Sequence, residues 1–237
     1  MAKLKYKRIL LKLSGEVFKG KQESGIEGKS LMNFAGEIKK LQKMGVQVGV
    51  VIGGGNIWRY RDNKDLSLDR ITSDTIGMLA TIMNALALQA ALRELKAEVV
   101  AVSNLPCEKA LETYTVKSAR KYMDEGDIVI FAGGTGHPFF TTDSAAALMA
   151  LEMKCDVLLK ATKVSYVYDK DPMKFKNAKK YETLSYKEVI DQNLEVMDVT
   201  CAALCEDAKI PMVVFNVNEK GSLEKAVKGV QIGTIIH

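Results

Sequence analysis

The chain has 237 residues, 47% of them hydrophobic and 27% charged, with a formal net charge of +5. That length suffices for one large α/β domain or two small ones, and the composition is that of a globular protein rather than a disordered or fibrous one. The mild positive balance favours anionic ligands or is ordinary solubilising charge; no basic stripe is interleaved with aromatics, so nucleic acid is not an expected partner, and no apolar run approaches the ~18 to 20 residues of a membrane helix.

The start, "MAKLKYKRILLKLSG", is basic and then apolar, but its apolar part is short, contains Lys12 and lacks a small-residue cleavage site. It predicts a first strand and a cytoplasmic protein. Downstream, "RILLKLSG", "VQVGVVIGGG", "EVVAVSNL", "DIVIFAGG", "CDVLLKAT", "PMVVFNV" and the final "GTIIH" read as strands. Between them, helical periodicity predicts helices near 29–44, 73–96, 115–125, 142–153, 185–191, 199–209 and 221–228, with a hydrophilic loop after "CDVLLKAT". Continuous apolar strands alternating with helices imply a mostly parallel sheet covered on both faces. No linker or internal repeat divides the chain, which predicts one domain over 1–237 with an acceptor lobe near 1–150 and a second lobe near 151–237. The helix near 73–96 is apolar almost all round, so it is either buried in the monomer or offers a face for association.

In such sheets ligands bind outside the carboxyl ends of the strands. Four specialised loops fall there: "KLSGE", "GGGN", "GGTGHPFFTTD" and "KATKVSYVYDKDP". Gly53, Gly54 and Gly55 turn backbone N–H groups toward an anion near a helix start, or simply make a tight turn; they match neither the Walker pattern nor GxGxxG. Arg59, four residues on, offers a planar fork for phosphate. Lys12 and Lys160 each end an apolar strand, either as edge residues with outward amines or as a pair that stabilises charge on a transferring phosphoryl group.

Thr142 or Asp143 is expected to cap the helix that follows the glycine loop, with the cluster also offering hydroxyls to an anion and a carboxylate to the lysines or a metal. Asp74, beside Ser73, is either a cap or an acceptor for sugar hydroxyls. Tyr166 and Tyr168 either stack on a base or belong to a solvated loop that turns at Asp171-Pro172. Cys107, Cys155, Cys201 and Cys205 lack a disulfide-framework spacing and are expected as reduced thiols; with only His137 and His237 as imidazoles, Cys201 and Cys205 read as core rather than zinc ligands. No Ser-His-Asp set and no HExxH is present, which disfavours hydrolase chemistry.

The motifs "KLSGE" (12–16), "GVVIGGGNIWR" (49–59), "GMLATIMNALALQ" (77–89), "GTGHPFFTTDSAA" (134–146), "LLKATKVSYVYDKDP" (158–172) and "VMD" (196–198) together resemble the bacterial uridylate kinases of the amino-acid-kinase superfamily, nearly end to end. The resemblance implies a three-layer α/β/α sandwich that converts ATP and UMP to ADP and UDP by direct in-line transfer. It further implies Mg²⁺ carried mainly by the nucleotide phosphates with no direct protein ligand, a homohexamer, and GTP and UTP as effectors. Lys12, Leu13, Ser14, Gly15, Gly55, Arg59, Thr162, Tyr168 and Asp171 match the family's ATP positions. Gly54, Asp74, Thr135, Gly136, His137, Pro138, Phe139, Phe140, Thr141 and Thr142 match its UMP positions. Lys12, Asp143, Lys160 and Asp198 match its catalytic positions, Asp143 as organiser of the lysines and metal.

His137 stands where many members have Asn; a neutral imidazole offers one donor and one acceptor, as an amide does, and a protonated one two donors. The 20–25 segment, associated with GTP activation in many members, is only loosely similar. The rival readings are a superfamily kinase acting on a carboxylate, carbamate or isoprenyl phosphate, and a non-catalytic nucleotide sensor. Asp74 and the 135–142 loop argue against the first, and the Lys12, Asp143, Lys160 set against the second.

Overall fold

The computed structural model describes residues 3–62, 66–172 and 174–237. In chain order its elements are β1 (Arg8–Leu13), α1 (Gly28–Lys43), β2 (Gln47–Ile52), α2 (Arg70–Glu94), β3 (Val99–Ser103), β4 (Glu112–Thr113), α3 (Val116–Glu125), β5 (Ile128–Ala132) and α4 (Thr142–Glu152). They continue with β6 (Val157–Thr162), β7 (Val167–Tyr168), β8 (Lys180–Tyr181), β9 (Thr183–Leu184), α5 (Tyr186–Asp191), α6 (Val199–Asp207), β10 (Met212–Asn216), α7 (Ser222–Val227) and β11 (Gly233–Ile236).

Among the described residues, one sheet runs in the order β4-β3-β5-β2-β1-β6-β10-β11-β9, with every neighbouring pair parallel except the antiparallel β10–β11; β9 pairs parallel with β11. This is the expected α/β architecture. The strands' period of two sorts side chains into two cores. Ile9, Leu11, Leu13, Val50 and Leu159 pack on one face with residues of α1, α2 and α7. Leu10, Val51, Val129 and Leu158 pack on the other with residues of α3, α4 and α6. Cys155, Cys201 and Cys205 are buried in this second core, and all four cysteines are free thiols.

Four expectations need correction. The cap of α4 is Thr141, whose side chain accepts from the Asp143 and Ser144 N–H groups, which leaves Asp143 free to face the cleft. The cap of α2 is Asp69, accepting from Thr72 N, so Asp74 lies a full turn inside the helix. The glycine triplet leads into a turn at 55–57 and a 3-10 turn at Tyr60–Asp62 rather than a helix start, so its N–H groups are not reinforced by a macrodipole. Finally, α2 is long and apolar enough to cross a membrane by length and composition, although 56% of the relevant stretch is buried within this fold. Its inner side buries Ala85, Leu88 and Leu92 and the polar Asn84, as the burial reading expects, while Leu79, Met83 and Leu86 stay exposed.

Candidate active site

The sheet's register places the charged centre. Lys12 and Lys160 are direct partners on the parallel strands β1 and β6, and each shares parity with Leu10 and Leu158, which face α4. Both amines therefore emerge beneath the N-terminus of α4, where Asp143 sits in the first turn. Asp143 Oδ1 lies 2.6 Å from Lys12 Nζ, and Oδ2 pairs with Lys160. Side-chain exposures of 12%, 16% and 11% for Lys12, Asp143 and Lys160 leave the triad mostly enclosed. Burial pushes the Asp143 carboxyl up, but the two ammoniums outweigh it and hold the group below the usual carboxylate range. Burial, and then the Lys12 charge, pull Lys160 below the ordinary lysine range, with Asp143 opposing them. The triad carries one surplus positive charge, suited to a mobile anion at its open side.

The loop after β1 supplies a close backbone approach. A Cβ on Gly15 would fall 2.2 Å from Asn56 Oδ1 and 2.3 Å from Gly53 O, so only glycine lets the first two strand-end loops meet. Gly54 is equally constrained, with a Cβ there 2.7 Å from Gly77 O on α2. Asn56 and Asn84 exchange amide hydrogen bonds (3.0 and 2.7 Å), and Asn84 also donates to Gly53 O at 2.8 Å, which fastens the glycine loop to α2. Arg59 donates through Nε to Gly55 O at 2.7 Å and pairs with Glu16, whose other oxygen takes Lys163 at 3.0 Å. Glu16 thus ties three strand-end loops together, a role the sequence reading did not give it.

Two cavities flank the N-terminus of α4. The smaller, about 170 Å³, is lined by the expected acceptor positions Gly54, Asp74, Thr135, His137, Phe140, Thr141 and Thr142, by Gly55, which was expected at ATP, and by Trp58, Ser73 and Met78, which the sequence reading missed, whereas Gly136, Pro138 and Phe139 do not line it. The larger, about 870 Å³, is lined by Asp143, Lys160, Thr162, Tyr168 and Asp171, together with the 192–197 loop. Asp74 accepts from Phe139 N at 2.8 Å, and His137 is exposed, its N–H bonded to Thr135 Oγ1 at 3.2 Å. Tyr166 also lines the larger cavity, with the Lys180 amine 4.6 Å from its ring centre. Leu13 is fully buried in the core and lines neither cavity.

Asp198 stands apart from the lysines in its bonding. It caps α6 by accepting from Cys201 N at 2.8 Å, takes the Ser144 hydroxyl at 2.7 Å and pairs with the Thr141 hydroxyl. Its carboxylate thereby locks the first turn of α4 against α6.

Residues 7–216 match the amino acid kinase family. The chain belongs to that family. Relatives within it include the uridylate kinase of Rickettsia bellii (strain RML369-C), 48% identical over 95% of this chain and 94% of that one. The uridylate kinase of Dichelobacter nodosus (strain VCS1703A) is 45% identical over 99% and 98% of the two chains. Among solved structures, the UMP kinase from Bacillus anthracis superposes with a TM-score of 0.95 at 38% identity, covering 98% of this chain and 96% of that one. The UMP kinase from Ureaplasma parvum gives 0.93 at 36%, covering 98% and 99%. The amino acid kinase fold expected from the motifs is therefore the fold observed.

Proposed function

We infer that this protein is a UMP kinase that moves the γ-phosphoryl group of ATP directly to UMP, releasing ADP and UDP. The observation that carries this reading is the position of the triad. Thr142 lines the smaller cavity and its neighbour Asp143 the larger, so a group passing between them crosses the Lys12 and Lys160 amines. The larger cleft takes the purine triphosphate and the smaller the pyrimidine monophosphate. Phosphoryl transfer asks mainly for alignment and charge stabilisation. Lys12 and Lys160 meet the charge that spreads over the transferring oxygens, and Asp143 fixes both amines in place before substrate arrives. The positive end of α4, which begins at Thr142, favours the acceptor phosphate on the other side. Gly15, Gly55 and Arg59 hold the ATP phosphates, Thr162, Tyr168 and Asp171 the nucleoside, and Asp74 with the 135–142 loop holds UMP.

Among the described residues no three His, Cys, Asp or Glu side chains cluster as a metal cage, and both Asp143 oxygens are engaged by lysines. That donor set suits Mg²⁺ delivered on ATP, where it neutralises the phosphates. We further propose a cytoplasmic homohexamer in which the exposed Leu79, Met83 and Leu86 side of α2 is covered by another copy. Its two lobes are residues near 1–150 and 151–237. GTP and UTP are the proposed effectors, and segment 20–25, which the resemblance associates with GTP, touches the glycine loop where the Gly25 N–H donates to Asn56 O at 2.7 Å. Coupled ADP release over UMP, CMP, AMP, GMP, acetylglutamate, aspartate and carbamate tests the acceptor. UMP is expected to lead, and CMP outpacing it would overturn the assignment.

A further inference from the structure

Three local preferences are broken at one place beside the acceptor cavity. Arg70 is the first residue of α2, at the positive end of the helix, where cations are disfavoured. It precedes Asp74 by four residues, the weaker order for a helical ion pair. Phe139 has φ of 72°, a left-handed conformation that is rare for a bulky side chain, and it is 64% exposed. Natural sequences break such rules chiefly where function requires it.

The three converge. Arg70 Nε donates to both Asp74 oxygens, at 2.8 and 2.7 Å. Asp74 Oδ2 accepts from the strained Phe139 N–H at 2.8 Å, and the guanidinium carbon stands 5.8 Å from the centre of the Phe139 ring. We propose that Arg70 is a positioning residue for the acceptor: with Asp74 and Phe139 it forms a latch that seats the 134–141 loop and aims Asp74 into the cleft. The proposal rests on the acceptor reading above. Arg70 itself does not line the cavity; it acts through Asp74, whose remaining lone pairs face the ligand's hydroxyls, and through the ring that keeps the loop in its strained turn.

The only tryptophan, Trp58, lines this cavity and donates to Ser73 Oγ at 3.0 Å, next to Asp74 in sequence, so its fluorescence reports occupancy. Titrating wild type, Arg70→Met, Arg70→Lys and Phe139→Gly with UMP in the absence of ATP tests the latch. Arg70→Met is expected to weaken UMP binding and raise its KM roughly tenfold, the loss of about one charge-assisted contact. The KM for ATP should move less than about twofold and the melting temperature by no more than about 2 °C, as for a surface substitution. Arg70→Lys keeps the charge but not the planar fork and should recover only part of the loss. Adding Phe139→Gly to Arg70→Met should cost little more than either alone, because the pair acts as a unit. UMP affinity within twofold of wild type in Arg70→Met, an equal weakening of ATP, or independent effects of the two substitutions would overturn the latch. A wild type that neither responds to UMP nor turns it over would overturn the acceptor assignment and the latch with it.

Discussion

Replacing Asp143 by Asn removes one negative charge from between two ammoniums while keeping shape and volume. Breaking a buried ion pair costs about 3–5 kcal/mol when one charge is left without its partner. Here the loss should sit near ~3 kcal/mol, because both lysines retain a little solvent contact and Lys160, already drawn below the ordinary lysine range, relieves the repulsion by giving up its proton. For a chain of this size that lowers the melting temperature by about 6–12 °C, at ~2–4 °C per kcal/mol. Turnover should fall by roughly 10²–10³, as when one preorganised electrostatic element is lost. The two effects separate on titration with inorganic triphosphate. The anion should bind Asp143→Asn at least as tightly as wild type and restore part of its lost stability, since it meets lysines that no longer have their carboxylate. Turnover within tenfold of wild type, or an unchanged melting temperature, would refute the role given to Asp143.

The alkaline side of the pH profile should be set by Lys160. A cation whose pKa is depressed in the fold loses its charge as pH rises through that lowered value, so kcat should fall before the ordinary lysine pKa of about 10.4 is reached. Asp143 works in the opposite sense: its depressed carboxyl stabilises the fold above the unfolded pKa of about 3.9, and that contribution disappears only as pH drops through the lower folded value, which acid melts would show. Asp198→Ala removes the cap of α6 and leaves the buried Ser144 hydroxyl without its acceptor, so stability should fall by about 2–3 kcal/mol, measured by urea unfolding, with Asp198→Asn recovering much of it. Gly54→Ala drives a methyl against the α2 backbone and should cost about 1–3 kcal/mol and raise the KM for UMP more than that for ATP. Met83→Glu on the exposed side of α2 should split the proposed homohexamer in sedimentation runs without unfolding the subunit.

The long strands and helices were legible because their apolar patterns are long and mutually consistent, and Lys12 and Lys160 stood out as charges in otherwise apolar strands. The two-residue strands β4, β7, β8 and β9 were not, since such short segments carry no period, and the polar loop after β6 hides the β7-β8 pair. Cap assignment failed where several candidates stood side by side: Thr141 beside Thr142 and Asp143, and Asp69 a turn ahead of Asp74. Glu16 and Asn56 escaped notice because their partners lie far away in sequence, at Lys163 and Asn84. Arg70 carried a readable signal, a cation at a helix start, that becomes meaningful only once Phe139 is seen beside it. His137 lines the smaller cavity, and His137→Asn should retain UMP as the preferred acceptor in the ADP-release assay.

The γ-phosphoryl group is proposed to pass directly from one cleft to the other past the Lys12, Asp143 and Lys160 triad. Incubating the protein with γ-³²P-labelled ATP and UMP and resolving nucleotides from protein tests it most directly. Direct transfer should put label in UDP and none on the protein, with the labelled UDP lost in Asp143→Asn; label retained on the chain, or appearing in another acceptor in preference to UMP, would contradict it.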